Sequence, residues 1–366
     1  MQPARAATSG PALTPISGVA GKGPACFLVE AGSVRLLLDL GYGPQPGLLP
    51  DVSGVGEVDA LVLSHGHRDH AGGLSLMSKI GNPPVFATEW VCRGLPAGVE
   101  SRVLPLAGST DIVGIRVDTG RSGHAPGGVW LRLHVGGGLL YMGDHSSESI
   151  LYRYDAPPPA RTVILDASYG ADDTPLARQF ASFDAVFSAG DVLLPVPADG
   201  RGPEIALYLA RRGCAVRVDE AVRAGLRRLA EEGRESLHPG TETEIARIAA
   251  TAGPIDGTQG VMLASRADAT AGEAARRVAE WGGAARPAIV FTGYVPPGTP
   301  AERLIKSGRA RYLRWNVHPR LSDNVALVRS AGPATVVPAF CEREALDELA
   351  RAFAPAEVAA AGVVRL

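Results

Sequence analysis

The segment His65-Gly66-His67-Arg68-Asp69-His70 sets three imidazoles and a carboxylate within six residues. Neutral imidazole nitrogens and carboxylate oxygens are ligands for zinc, and for manganese or iron as well. The apolar run ALVLS at 60–64 ends directly before His65 and reads as a buried strand. Alternate residues at a strand end share a face, so His65 and His67 are expected to enter one cavity. The turn that follows would bring Asp69 and His70 round to its other side. Gly66 adds no side-chain volume where ions would sit close by. A chance histidine cluster at a helix start is the competing account, and three of the chain's eight histidines within these six positions argue against it.

Other ligand types lie farther along. His124 follows Gly123 ahead of a strand-like run, and Asp144 closes Tyr141-Met142-Gly143-Asp144. Taken alone, the first reads as a core histidine and the second as a turn aspartate. His134 and His145 are given no role in chemistry.

The elements that must position these groups change character along the chain. ACFLVE at 25–30 and VRLLLD at 34–39 flank Ala31-Gly32-Ser33 as a hairpin, and further strands are expected at 112–117, 129–135, 139–142 and 162–166. Several strands ahead of any long helix predict stacked sheets with helices outside them. After Tyr169 the pattern alternates, with strand-like runs at 185–196, 261–264 and 288–292. Helical stretches fall near 221–232, 242–251 and 270–281, and a further helix opens at Pro203-Glu204. Proline at a first helical position and an acid in the first turn both suit a helix start. From 311 come an apolar run to His318, a helix on SDNVALVRSA, the strand TVVPAF and a helix from about Glu342. The tail after Pro355 gives no clear signal.

A formal net charge of -2 excludes broad, sequence-indifferent coating of nucleic acid, so a polyanion would have to be held in a cleft. Cys26, Cys92, Cys214 and Cys341 lie far apart with no C-x-x-C pair, which indicates neither a disulfide scaffold nor a zinc knuckle. The first 18 residues lack an apolar h-region, and no window reaches membrane-span length. A cytoplasmic protein without a membrane partner is expected, and a homo-oligomer is left open.

H-x-H-x-D-H is the signature of the metallo-β-lactamase superfamily, and the chain resembles that family well beyond it. ACFLVEAGSVRLLLDLG is similar to its opening hairpin, with Asp39 at the acidic position, while Gly123-His124 and Tyr141-Met142-Gly143-Asp144 resemble its third and fourth ligand motifs. The resemblance implies one metal site from His65, His67 and His124 and a second from Asp69 and His70, with Asp144 shared. One or two zinc ions are the implied cofactor.

Three later segments resemble the β-CASP nuclease branch: VILDASYG at 163–170, VLLPVPADGRGPE at 192–204 and FTGYVPPGT at 291–299. The implied fold is α+β, an αββα sandwich at 1–175 and 306–366 with an α/β cap inserted at 176–305. The implied reaction is phosphodiester hydrolysis by zinc-activated water, on RNA before DNA. A DNA exonuclease or repair nuclease, and a weakly active RNA-binding or scaffold subunit, stand as alternatives. Asp69 and Asp144 would orient the nucleophile, and His318 in Trp315-Asn316-Val317-His318 would hold phosphate or protonate the leaving oxygen. Asp166 would orient a metal-bound histidine, and Arg201 and Thr299 would reach phosphate.

Two departures from the family pattern stand out. Arg320 occupies a position usually held by aspartate, and Phe340 occupies that of the last histidine ligand. Phenylalanine cannot ligate. A second ion would then be held weakly by Asp69, His70 and Asp144, or helped by Cys341, Glu342 or His145, or not bound at all.

Overall fold

A computed structural model describes residues 10–366; residues 1–9, part of the stretch read for a leader, lie outside it. Two seven-stranded sheets face each other. The first runs Val364–Arg365, Ala12–Ser17, Cys26–Ala31, Val34–Leu38, Ala60–Val62, Val85–Thr88, Ser101–Leu104. The second runs Glu357–Val358, Thr335–Ala339, Thr162–Asp166, Leu139–Tyr141, Val129–Leu133, Ile115–Arg121, Gly108–Ile112.

Side chains alternate across a strand, and here both faces are buried. Leu36, Leu38, Val62, Tyr141, Ile164 and Val337 fill the layer between the sheets. Leu37, Leu61 and Val85 turn outward beneath Leu76 and Ile80, and Leu140, Val163 and Val336 lie beneath Leu327, Leu349 and Phe353. Burial on both faces explains why these strands read as continuous apolar runs. The result is the expected αββα sandwich.

A third sheet of five parallel strands is built from Val216–Val218, Val261–Ser265, Val192–Val196, Ala288–Phe291 and Ala310–Tyr312. Its helices include Arg201–Arg211, Glu220–Glu232, Thr241–Thr251 and Gly272–Trp281. Pairing of Ala310–Tyr312 with Ala288–Phe291 carries this inserted sheet past residue 305. The chain then re-enters the second large sheet, where Thr335–Ala339 lies parallel to Thr162–Asp166.

Three expectations are corrected. IVGIRV at 112–117 is not one strand but the tip of a hairpin, because Val113 and Gly114 take positive φ of 46° and 88° between Gly108–Ile112 and Ile115–Arg121. Two consecutive positive φ values make the tight turn that suits the twist of paired strands. Residues 185–188 end the helix Leu176–Ser188, whose Phe183 and Val186 pack into the inserted sheet's core, so strand structure starts only at Val192. The helix expected from about Glu342 is a short 3-10 turn, Arg343–Ala345, followed by Leu346–Phe353. The tail adds two short edge strands, Glu357–Val358 and Val364–Arg365. No helix among the described residues is long and apolar enough to cross a membrane.

Candidate metal centre

The polar residues gather at the carboxyl ends of the parallel strands. Asp39 follows Val34–Leu38, the histidine segment follows Ala60–Val62, Asp144 follows Leu139–Tyr141, and Asp166 closes Thr162–Asp166. Backbone bonds then clamp the histidine loop against the loop after the hairpin. The N–H groups of Ala25, Leu40 and Tyr42 donate to the carbonyls of Asp69, His70 and Arg68 at 2.8, 2.9 and 2.9 Å. A Cβ on Gly41 would lie 1.8 Å from the Asp69 carbonyl oxygen, so only glycine lets these strands of backbone meet. Gly143 has the same task before Asp144, where a Cβ would come within 2.7 Å of Ser64.

His65, His67, His124 and Asp144 offer ligand atoms that all lie within 4.8 Å of one another. His124 Nε2 is 3.0 Å from His67 Nδ1 and 3.4 Å from Asp144 Oδ2, and His65 Nε2 is 3.7 Å from that same oxygen. A tetrahedron around an ion with bonds of about 2.0–2.1 Å has edges of roughly 3.3–3.4 Å, so the spacing fits zinc. His65 Nε2 is buried with no hydrogen-bond partner, an orphan that a cation would satisfy. His124 Nδ1 donates to the Val317 carbonyl at 2.6 Å, which leaves its Nε2 lone pair facing the cluster. Burial lowers the pKa of both rings, His124 to about 3, and so keeps them in the neutral ligating form.

Asp69, His70 and Asp144 form a second group. His70 Nδ1 lies 2.7 Å from Asp39 Oδ2, and Asp39 is further fixed by the N–H and hydroxyl of Ser64, each at 2.7 Å, and by the Tyr141 hydroxyl. His70 Nε2 is 3.1 Å from Asp144 Oδ1. Two acceptors at that distance need a proton or a cation between them. In the metal-free chain a proton takes the place: burial works against it, but the carboxylates of Asp144 and Asp39 prevail and raise the His70 pKa. Burial likewise pushes the Asp144 carboxyl up, yet His70, His318 and His124 hold it well below its ordinary value.

Asp144, Asp166 and His318 form a third group. His318 Nδ1 is 2.9 Å from Asp166 Oδ2 and 3.7 Å from Asp144 Oδ2. The expected role of Asp166 is thereby corrected. Each buried cluster histidine has its Nδ1 partner elsewhere: Ser64 for His65, Asp39 for His70 and the Val317 carbonyl for His124. Asp166 instead grips His318, and its own oxygens also accept from the N–H groups of His145 and Ser168. Arg320 turns away to pair with Asp323 at 3.1 Å, and the carboxylate that meets His318 comes from Asp166.

Of the phosphate candidates, Thr299 is spent on capping. Its hydroxyl accepts from Glu302 N–H and donates to the Pro296 carbonyl at 2.7 Å, at the start of the helix Pro300–Lys306. Arg201 lies against Gly293, with a buried Nε that lacks a partner. Glu204, in the same helix turn, accepts from Ser149, Ile150 and Trp315 and forms no salt bridge with Arg201.

A cavity of about 210 Å³ opens beside the cluster, and Asp69, Asp144, His318 and Phe340 line it. Lys22, Tyr42, Arg68 and Tyr294 line it too, and sequence reasoning passed them over. Arg68 stacks on Tyr42 at 3.9 Å and Lys22 stands 5.1 Å over Tyr294. Arg68 sits inside the histidine motif and was within reach; Lys22 and Tyr294 come from loops some 270 residues apart, with nothing local to join them.

Comparison with known proteins agrees with this geometry. The family model described as "Metallo-beta-lactamase superfamily" matches residues 20–187. A transcription termination factor, FttA, of Cenarchaeum symbiosum is 29% identical over 260 residues, covering 57% of this chain and 40% of the relative. A ribonuclease of Thermus thermophilus is 27% identical over 224 residues, covering 51% of this chain and 52% of the relative. The chain thus spans about half or less of the length of these curated relatives. A crystal structure of a protein of unknown function from Enterococcus faecalis V583 superposes with a TM-score of 0.63 at 13% identity, over 98% of this chain and 100% of the other. That likeness concerns the fold alone. Residues 20–187 thus match the metallo-beta-lactamase superfamily, and the similarity to FttA and the ribonuclease supports the branch that inserts a β-CASP cap.

Proposed function

We propose that the chain is a zinc-dependent hydrolase of phosphodiester bonds in nucleic acid, with single-stranded RNA as its first substrate. The observation that carries this reading is the convergence of His65, His67, His124 and Asp144 at zinc-like spacing beside an open cavity that Asp144 lines. The names of the relatives, a ribonuclease and a transcription termination factor, support RNA over DNA. Assignment of 1–175 and the C-terminal segment to the sandwich and of the residues between to the cap is part of the same proposal, with the cap extended from 176–305 to include Ala310–Tyr312.

Zinc held by His65, His67, His124 and Asp144 would acidify water and neutralise charge developing on phosphate. The chain's own groups do the rest. Asp69 and Asp144 face the cavity and orient the attacking water toward phosphorus. Burial opposes protonation of His318, but Asp166 and Asp144 overcome it and raise its pKa above the ordinary histidine value. With Nδ1 engaged by Asp166, Nε2 is the atom left to donate to the leaving oxygen or to bind phosphate. Arg201, with its unpartnered Nε, is the cap's candidate for contact with a phosphate.

The test pairs zinc analysis of protein purified without chelator with cleavage of labelled RNA and DNA strands. Zinc-dependent cutting of RNA is expected, and Asp144→Ala should reduce it at least about a hundredfold with the fold retained by circular dichroism. Unchanged turnover in that variant would remove the mechanism. Phe340 motivates a second reading, an RNA-binding subunit of low activity, which metal-free folding together with RNA binding and no cleavage would favour.

A further inference from the structure

Phe340 stands where a further ligand for the Asp69, His70 and Asp144 group was expected. Its ring lies edge-on to His70 at 5.1 Å and to Phe27 at 6.3 Å. Its N–H donates to the Gly18 carbonyl at 2.8 Å, and its φ is +63°. A bulky residue held in that region of backbone space is over-determined by its surroundings. The three residues that could have replaced the histidine do not. Cys341 is buried in an apolar cluster, Glu342 is exposed, and His145 stacks on Tyr154. Among the described residues none of them joins Asp69, His70 and Asp144.

A different kind of charge occupies this side of the cavity. Lys22 follows the same Gly18 turn that anchors Phe340, and it lines the cavity with Phe340, Asp69, Asp144, Ser168 and His318. Its ammonium stands over the Tyr294 ring and makes no ion pair with any carboxylate among the described residues. Yet Asp166, Asp144, Glu342 and Asp69 all contribute to the field around it. A half-buried ammonium without a direct partner is incompletely solvated, and an oxyanion that reaches it supplies the missing hydrogen bonds at close range.

We infer that Lys22 binds a non-bridging phosphate oxygen of the substrate on the Phe340 side of the cavity, so that one zinc and one fixed ammonium share the neutralising task usual for two cations. This assignment rests on the phosphodiester reading of the same site. Lysine suits the position because it is a compact point charge on a flexible stem, able to follow a single oxygen.

The experiment uses the zinc-loaded full chain, with adenosine 5′-monophosphate as probe in isothermal titration and zinc content measured in parallel. Lys22→Met keeps the stem against Tyr294 and removes the charge; Lys22→Arg keeps both. Lys22→Met should bind the nucleotide at least about tenfold more weakly, Lys22→Arg should retain most of the affinity, and all three proteins should hold one zinc per chain. Equal affinity in Lys22→Met, no measurable binding by the unaltered chain, or two tightly held zinc ions in the unaltered chain would each overturn the assignment. Cleavage assays separate the two claims. An unaltered chain that binds the nucleotide through Lys22 but cuts no strand sinks the nuclease reading and leaves Lys22 as the anion site.

Discussion

Asp39 touches no metal-facing cavity wall, yet it governs His70. Fully buried, it accepts from Ser64 twice and from Tyr141, and faces His70 Nδ1 at 2.7 Å. Replacing it with asparagine keeps the volume and loses the charge that makes His70 a good ligand. Outer partners of this kind are worth roughly 10–100-fold in metal affinity, and competition against a zinc chelator should show a loss in that range for Asp39→Asn. Protonation gives a second prediction at this scale. In the metal-free chain, burial keeps His65 and His124 neutral, whereas the unfolded chain takes up their protons below the ordinary value of 6.5. Stability is therefore lost as pH falls from there toward about 3, the folded value for His124. His70 and His318 have raised values, so their contribution is complete below 6.5 and is lost as pH rises through the raised values. Thermal melts of chelator-treated protein should peak near about pH 6.5; a flat profile from pH 5 to 9 would contradict this.

The secondary elements were legible wherever one physical signal dominated. The hairpin at 25–39 and the buried runs at 60–64, 139–142 and 162–166 announce themselves because burial on both faces leaves only apolar side chains. Shorter or more polar strands, such as Ser101–Leu104 with three exposed positions, carry no such pattern and were missed. The turn at Val113-Gly114 was hidden because a β-branched residue adopts positive φ there, against its own preference. Type and spacing singled out the His65–His70 segment, and only the family resemblance pointed to His124 and Asp144; the partner of each imidazole was not legible, since Asp39, Val317 and Asp166 reach their histidines across 31, 193 and 152 positions. Gly123 shows how a loop enforces one ligand. It has φ of +73°, and a Cβ there would lie 2.0 Å from the Ser146 carbonyl oxygen. Gly123→Ala should destabilise the chain by roughly 2 kcal/mol or more and displace His124, so calorimetry should show a lower melting temperature together with weaker zinc binding. Unchanged zinc affinity would show that the loop does not set the ligand.

At the scale of the molecule, the inserted cap and the sandwich are tied by a buried polar seam. Asn316 accepts from Gln179 at 2.7 Å, donates to the Thr174 carbonyl at 2.8 Å and to Glu148 at 3.1 Å. Trp315 donates to Glu204, and the Tyr169 hydroxyl receives the Val317 N–H at 3.0 Å. Asn316→Ala should leave the sheets intact and loosen the thread between Trp315 and His318. The expected result is about tenfold weaker zinc binding, read by chelator competition, with faster hydrogen exchange confined to that thread. Exchange that spreads through the whole cap would mean the seam holds up the fold and not the centre.

That thread has one further consequence. The carbonyl of Val317 fixes His124, and the very next residue is His318, the proton donor of the proposed mechanism. Any swing of the cap wide enough to admit a strand and tug on this stretch would tilt a ligand and withdraw the acid in one movement. The gap would be disarmed while it stands open, and it would become competent to cut only after closing on what it has caught.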